Sequence, residues 1–224
     1  MGENGSGKST LLKLIAGILR PESGSVCIDG LDAATLGPKE RARHVSYLPQ
    51  RFGAAFNIDV IDVVLMGINP ELGLGQSPSE KHRKLAADAL RRLNMEEFSG
   101  KSFSELSEGQ KQMVMIARSV VQKAPLLLFD EPDSALDINN RRHMMENLRD
   151  VIGTEKGALM ILHDQQLALS YCDRIYLTKK GVISGIIMRK EATAQSVQEE
   201  MNKVFGNVRV FSVDGQFLIG YRQY

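Results

Sequence analysis

The chain has 224 residues, which is enough to bury one sizeable hydrophobic core. Its 28 lysines and arginines nearly balance its 27 aspartates and glutamates, so a net charge of +1 gives no electrostatic reason to expect nucleic acid as the main partner. The two cysteines, Cys27 and Cys172, lie too far apart to suggest a metal site, and the longest apolar stretches are too short to span a bilayer.

Short apolar runs alternate with helical patterns along the chain, which predicts an α/β fold with a mainly parallel sheet. We expect helices over roughly residues 8–19, 58–65, 79–93 and 192–204, and another that begins after Ser107. Strands are expected at 24–30 (ending in a turn), 45–48, 126–130, 158–162, 174–177, 181–187, 208–213 and 216–221. The pattern predicts a single domain, 1–224, with a helical insertion at about 51–122 and a small β/α tail at about 190–224.

A phosphate-binding loop occupies the first residues of the chain. The pattern G-x-x-x-x-G-K-[ST] is complete, and with the next residue the predicted phosphate-binding set is Gly2, Glu3, Asn4, Gly5, Ser6, Gly7, Lys8, Ser9 and Thr10. Glycines let successive backbone N–H groups surround an anion, and the following helix directs its positive end at the phosphates. We expect Lys8 to reach the β- and γ-phosphates and the Ser9 hydroxyl to bind Mg²⁺.

The apolar strand predicted at 126–130 ends in two adjacent carboxylates. In a phosphate-loop enzyme, Asp130 would hold Mg²⁺, directly or through water. Glu131 would then polarise an attacking water as general base. In isolation, two acids after a strand are commonly no more than solvated surface groups, so this interpretation depends on the phosphate loop.

A second possible anion site lies at the start of the predicted long helix, in the stretch Leu106, Ser107, Glu108, Gly109 and Gln110. Ser107 is a natural N-cap, and helix N-termini present N–H groups to anions. The apolar face of this helix is predicted to comprise Met113, Ile116, Ala117 and Val120. Taken alone, the stretch indicates only a helix cap.

Together these motifs resemble the ATP-binding cassette (ABC) family of P-loop NTPases. The motifs appear in the family's order: the phosphate loop, Gln50 after Tyr47-Leu48-Pro49, residues 106–110, Asp130-Glu131, Ser134-Ala135-Leu136-Asp137, and His163. The resemblance covers residues 2 to about 190 and implies an ATPase with Mg²⁺ as cofactor.

The resemblance also implies a head-to-tail pair of cassettes, either a homodimer or two related subunits, with two ATP molecules between them. Residues 106–110 would meet the nucleotide of the opposite subunit, where Ser107 and Gly109 would bind its γ-phosphate. Gln50 would contact Mg²⁺ and the attacking water, and His163 would hold the γ-phosphate and that water. Asp137 would couple the two sites.

Further stretches are similar to the ATPases of iron-chelate, haem and cobalamin importers: Val63 to Gly67, Leu162 to Asp164, Tyr171 to Arg174, and Val204 to Val210. This resemblance implies a peripheral protein on the cytoplasmic face of the membrane, bound to a separate integral membrane permease and, indirectly, to a substrate-binding protein. The helical insertion, including residues 51–66, would dock a cytoplasmic helix of the permease. Two alternatives stay open: a truncated, non-catalytic nucleotide-binding remnant, and a soluble ABC ATPase that serves no transporter.

Three departures from the family pattern stand out. Glu108 occupies a position where the family commonly has glycine, and we expect it to be tolerated because a carboxylate suits a helix N-terminus. Asp133 replaces a threonine, with little expected effect. The family's leading strand and N-terminal β-subdomain, including an aromatic residue that stacks on adenine, are expected to be absent, so the chain resembles an N-terminally truncated cassette.

Overall fold

The computed structural model describes residues 1–51 and 57–221. The helices in these ranges are α1 (Lys8–Ile15), α2 (Pro38–His44), α3 (Val60–Leu65), α4 (Glu80–Arg92), α5 (Glu108–Val121), α6 (Ile138–Ile152), α7 (Gln165–Tyr171) and α8 (Ala194–Asn202). The strands are β1 (Cys27–Ile28), β2 (Leu31–Asp32), β3 (Val45–Leu48), β4 (Leu126–Asp130), β5 (Gly157–Ile161), β6 (Arg174–Lys179), β7 (Val182–Met188), β8 (Val208–Val213) and β9 (Gln216–Tyr221).

The chain forms two compact units. The first unit comprises Met1–Leu11 and Ile161–Tyr224, and the second comprises Leu12–Met160. Helix α1 begins in the first unit and ends in the second. The two units are described separately below.

The second unit is built on a sheet in the order β3-β4-β5, with β3 and β4 parallel. Its central strand β4 carries Leu127, Leu128 and Phe129, whose side chains are all fully buried. A strand that is apolar on both faces is typical of the middle of a parallel sheet. Helix α5 packs on β3 and also contacts α3, α4 and α6. This sheet confirms the strands predicted at 45–48 and 126–130, and β5 begins and ends one residue earlier than predicted.

The described part of the insertion is helical, as predicted. Helix α4 begins with a capping box in which the Ser79 side chain and the His82 side chain each bond the other residue's backbone N–H. A short 3-10 turn at Met66–Ile68 lies directly against α5, where a methyl group added to Gly67 would overlap the carbonyl oxygen of Arg118. Among the described residues, no helix combines the length and the apolar character that crossing a membrane requires.

The first unit contains two antiparallel strand pairs, β6-β7 and β8-β9. Helix α8 packs on β7 and β8, and α7 packs on β9. The start of the chain also pairs with β6: Gly2 forms a parallel bridge with Thr178, and the Thr178 amide donates to the Met1 carbonyl over 2.7 Å. The phosphate loop therefore starts from a strand-like pairing with β6.

The predicted first helix was too long, because α1 ends at Ile15 and not near Leu19. The Gly17 amide donates to the Leu14 carbonyl over 3.0 Å, and the Ile18 amide donates to the Lys13 carbonyl over 2.9 Å. With Gly17 at φ +66°, these two bonds form a Schellman motif, which stops a helix with a left-handed residue that glycine adopts readily.

Other details also differ from the prediction. The strand expected at 24–30 is a two-residue strand in a tight hairpin, because Asp29 and Gly30 both have positive φ values and turn the chain from β1 into β2. Helix α8 is shorter than 192–204 because Thr193 caps its start by accepting from the Ser196 amide. In α5, Met113 and Val120 are only half-buried, whereas Gln112, Val114, Met115 and Ser119 are buried with Ile116 and Ala117, since other helices cover more than one face.

Candidate nucleotide-binding and catalytic site

The phosphate loop runs from Gly2 into the first turn of α1, which begins at Lys8. Gly5 and Gly7 have φ values of +77° and +88°, a region that favours glycine. The Ser6 amide donates to the Glu3 carbonyl over 3.2 Å, which closes the turn between them. Left-handed glycines next to a helix N-terminus produce a concave surface of N–H groups that suits a phosphate.

The Lys8 ammonium lies across this loop. Its Nζ donates to the carbonyl oxygens of Gly2 over 2.9 Å and Glu3 over 2.8 Å. Both carbonyls belong to the loop, so the Lys8 ammonium, which is the only full positive charge among residues 2–10, is held against the loop backbone. This position fits the predicted contact between Lys8 and a phosphate chain.

Two hydroxyls anchor the loop on β6. The buried Ser6 hydroxyl and the Thr178 hydroxyl are 2.9 Å apart, and the Thr178 hydroxyl donates to the Met1 carbonyl over 3.0 Å. A side chain at Gly2 would overlap the Thr178 carbonyl and hydroxyl oxygens. Sequence reasoning missed Thr178, because nothing in the pattern of an ordinary strand shows which residue faces the loop.

His163 also belongs to the first unit, and its side chain is exposed just after the buried Leu162. Asp164 follows it and caps α7 by accepting from the Leu167 amide over 2.9 Å. Gln166 on the same helix donates to the Phe217 carbonyl over 2.8 Å and accepts from the Ile219 amide over 3.1 Å. The segment that carries His163 is thus tied to the edge of β9.

In the second unit, parallel pairing brings the ends of β3 and β4 together. Tyr47 lies opposite Leu128, and the strands then continue to Gln50 and Glu131. Gln50 Nε2 donates to Glu131 Oε2, so the structure brings these two predicted catalytic residues into direct contact. Glu131 has a φ value of +54°. A left-handed backbone is uncommon for a glutamate, and such strain clusters at functional sites.

Asp130, the predicted metal ligand, is 3% exposed at the end of β4. The Tyr47 hydroxyl donates to its Oδ2 over 3.2 Å. Burial, with a smaller contribution from the Asp130 charge, raises the pKa of Tyr47 to about 12, so this phenol is a proton donor at neutral pH. Sequence reasoning quoted Tyr47 as part of a motif but gave it no role; its place three residues before Gln50 was the available signal.

The predicted signature residues form the N-terminus of α5. The Ser107 hydroxyl accepts from the Gln110 amide over 3.3 Å, and Gln110 Oε1 accepts from the Ser107 amide over 2.9 Å, which is a capping box. The exposed Glu108 carboxylate pairs with Lys111 over 2.8 Å. Leu106, which precedes the cap, is buried. The predicted N-cap is confirmed, and the unusual glutamate is solvated and partly neutralised.

The segment Ser134-Ala135-Leu136-Asp137 follows the carboxylates and leads into α6. Asp137 Oδ1 accepts from the Asn140 amide over 2.8 Å, so Asp137 is the N-cap of α6. A methyl group on Gly109 would lie 3.1 Å from Leu136 Cδ2, which places the signature glycine against this segment within the same chain. Asp133, which stands where a threonine was expected, is 2% exposed.

The predicted site residues therefore fall into two groups. The phosphate loop and His163 belong to the first unit, and the other group, which comprises Gln50, Asp130, Glu131, Asp137 and residues 106–110, belongs to the second. Within the second group, contacts join Gln50 to Glu131 and Gly109 to the segment before Asp137. Of the segment 51–66 predicted to dock a permease, residues 52–56 lie outside the described residues.

A phosphate loop on a helix N-terminus and an apolar strand that ends in Asp-Glu define a P-loop nucleotide-binding protein. The family profile described as ABC transporter matches residues 1–134. The chain belongs to this family, and it has the fold of the family's ATP-binding cassettes.

Curated relatives include proteins named for transport. An iron chelatin transport ATP-binding protein of Helicobacter pylori is 39% identical over 181 residues, which is 80% of this chain and 71% of that protein. The hemin import ATP-binding protein HmuV of Thermobifida fusca is 33% identical over 184 residues, which is 82% of this chain and 64% of that protein.

Two solved structures give the corresponding likeness in fold. A metal-chelate type ABC transporter in an inward-facing conformation matches with a TM-score of 0.76 and 26% identity, covering 99% of this chain and 83% of the other. A bacterial ABC transporter cassette solved as a dimer matches with a TM-score of 0.75 and 29% identity, covering 84% of this chain and 83% of the other.

Proposed function

We propose that this chain hydrolyses ATP to drive a membrane importer, with Glu131 as the general base. The observation that carries the proposal is the contact between Gln50 Nε2 and Glu131 Oε2 at the ends of the parallel strands β3 and β4. Membership of the ABC transporter family indicates ATP hydrolysis as the reaction. The Glu131 carboxylate could accept the proton of the attacking water, and the hydrogen bond from Gln50 holds that carboxylate in place.

The phosphate chain of ATP would be held by the loop from Gly2 to Thr10. Its N–H groups and the positive end of α1 favour the negative charge, and Lys8 would exchange its bonds to the Gly2 and Glu3 carbonyls for phosphate oxygens. A water attacking the γ-phosphorus would give its proton to Glu131 while the bond from that phosphorus to the β,γ-bridging oxygen breaks, which releases ADP and inorganic phosphate. The His163 imidazole would hold the γ-phosphate. Gln50 would keep the Glu131 carboxylate oriented.

The residues present fit a magnesium ion by their donor chemistry. Ser9, Asp130 and Gln50 offer a hydroxyl, a carboxylate and an amide oxygen, and Mg²⁺ prefers such hard oxygen ligands. Asp130 is buried and already hydrogen-bonded, as metal-binding carboxylates usually are. These residues would hold Mg²⁺ at the site, where the ion would supply positive charge to offset the charge of the phosphates.

The first test is the substitution Glu131→Gln, which keeps the size of the side chain and one acceptor oxygen for Gln50 but removes the base. We expect phosphate release to fall at least about 100-fold, the order of a general-base contribution. ATP binding measured by calorimetry should be retained. The control Glu97→Gln, on an exposed short turn, should change neither quantity. Turnover that survives Glu131→Gln would remove the assigned base.

We further propose that two cassettes pair so that the N-terminus of α5 of each meets the nucleotide of the other. The capped Ser107 and the neighbouring Gly109 offer N–H groups for a γ-phosphate. The dimeric cassette among the structural neighbours supports this arrangement. The Glu131→Gln protein should elute from size-exclusion chromatography as a dimer with ATP and as a monomer with ADP. Adding Ser107→Arg should abolish the ATP-dependent dimer.

The partner we propose is an integral membrane permease, with a substrate-binding protein that delivers an iron chelate, haem or cobalamin. Relatives named for iron chelatin and hemin transport support this substrate class, as does the metal-chelate transporter among the structural neighbours. The chain would lie on the cytoplasmic face of the membrane. Purification of the tagged chain from detergent-solubilised membranes should recover a permease in stoichiometric amount; recovery of the chain alone would favour a soluble ABC ATPase.

A further inference from the structure

Tyr47 lies on β3 at a position that faces the end of β4. The parallel register places Tyr47 opposite Leu128 and Leu48 opposite Phe129. Side chains alternate along a strand, so Leu128 and Asp130 are on the same face of the sheet as Tyr47. The phenol can therefore extend along β4 to the carboxylate at its end, two residues beyond the paired position.

The contact between these side chains is direct. The Tyr47 hydroxyl donates to Asp130 Oδ2 over 3.2 Å, and Asp130 is 3% exposed. Gln50, three residues after Tyr47 and just beyond the end of β3, donates to Glu131. The end of β3 thus holds both carboxylates of the site, one by a phenol and the other by an amide.

We propose that Tyr47 is a positioning residue, which fixes the Asp130 carboxylate in the orientation that Mg²⁺ requires. The inference rests on the proposed function, since it gives Asp130 the metal. Mg²⁺ tolerates little deviation from octahedral geometry, so a carboxylate that rotates loses affinity for it. A hydrogen bond to one carboxylate oxygen restricts that rotation and so would hold the carboxylate in one orientation for the metal.

A purely structural role predicts a different outcome. If the Tyr47 hydroxyl bonded Asp130 only because a half-buried phenol needs an acceptor, its removal would weaken the packing of β3 on β4 whether or not a metal binds. If Tyr47 acts through Asp130, its removal should matter only while Asp130 is a carboxylate. A double-mutant cycle with Asp130→Asn separates the two roles.

The experiment measures binding of a non-hydrolysable imido analogue of ATP to the full chain while Mg²⁺ is varied. The variant is Tyr47→Phe, which removes only the hydroxyl, and each protein is also measured in excess EDTA. The matched control is Tyr176→Phe, which removes a phenol whose hydroxyl accepts from Arg174 on the surface. Thermal melting shows that each variant is folded.

We expect Tyr47→Phe to raise the Mg²⁺ concentration for half-maximal binding about tenfold, the lower end of the usual effect of a residue behind a metal ligand. Affinity in EDTA should stay within about twofold of wild type, as should every value for Tyr176→Phe. In the Asp130→Asn background, Tyr47→Phe should add less than about twofold.

A Mg²⁺ requirement unchanged by Tyr47→Phe would overturn the inference and leave the proposed function intact. A tenfold effect that persists in Asp130→Asn would overturn it as well, because Tyr47 would then not act through that carboxylate. Failure of the wild-type chain to bind the analogue, or binding without any response to Mg²⁺, would refute the proposed function before any variant is compared.

Discussion

Gln122 offers a quantitative test of how the second unit is held together. It follows the last residue of α5, and its Nε2 donates to the carbonyls of Ala42 over 2.6 Å and Val45 over 3.1 Å. Its Oε1 accepts from the Ser46 hydroxyl over 2.8 Å. One side chain therefore joins the end of α5, the helix capped by Ser107, to the strand that leads to Gln50.

The substitution Gln122→Ala removes three hydrogen bonds, each worth about 1 kcal/mol net. Because Ser46 is 2% exposed, its hydroxyl would be left in a buried position without this acceptor, which supports a total loss of about 3 kcal/mol. For a chain of this length, that loss corresponds to a fall of about 9 °C in melting temperature.

The assay is thermal unfolding followed by far-ultraviolet circular dichroism. The control Gln195→Ala removes an exposed glutamine that bonds Glu199 on the surface of α8, and we expect a change within about 0.5 kcal/mol. The double variant of Gln122→Ala with Ser46→Ala should be less destabilised than the sum of the two single variants. A loss below about 1 kcal/mol for Gln122→Ala would refute this account of the connection between α5 and β3.

Four further results are expected. The substitution Glu108→Gly should change ATP turnover less than tenfold, about 1.4 kcal/mol, because the carboxylate is exposed and paired with Lys111; a larger gain would show that Glu108 is inhibitory. At pH 8 a thiol reagent should label the exposed Cys27 and spare Cys172, since burial raises the pKa of the Cys172 thiol to about 11. Mass spectrometry of the labelled protein would show which thiol has reacted. Because the pKa of Cys172 is higher in the folded than in the unfolded chain, the free energy of unfolding should fall as pH rises from 9 to 11, which thermal melting at each pH would measure. Finally, Gly2→Ala should weaken ATP binding measured by calorimetry more than Gly24→Ala does, because only at Gly2 would the added methyl meet Thr178.

Local sequence signals predicted the elements whose cause is local. The short apolar run that ends at Asp130 favours a buried strand, and the pattern from Val208 to Tyr221 predicted the two final strands with their observed ends. Ser107 was predicted as an N-cap, and in the structure it caps α5, where Gln110 completes a capping box. These features required no knowledge of which residues meet across the fold.

Other features depend on contacts between residues that are far apart in the sequence, which a local pattern does not reveal. The contacts of Tyr47 with Asp130 and of Gln50 with Glu131 follow from the register of β3 on β4, which the sequence does not state. Helix α1 ends early because of the glycine at position 17. The prediction followed the apolar periodicity, which continues to Leu19, and gave too little weight to this glycine. The roles assigned to the site residues stay predictions, and those of His163 and Asp137 rest on resemblance to the family alone.

The central claim, that ATP hydrolysis by this chain powers uptake, is tested most directly by transport in cells. A strain that lacks the gene would be complemented with the wild-type gene, with Glu131→Gln or with the control Glu97→Gln, and supplied with a radiolabelled ferric chelate. We predict uptake above background with the wild-type and control genes, and background uptake with Glu131→Gln expressed at the same level. Undiminished uptake in the Glu131→Gln strain would contradict the account.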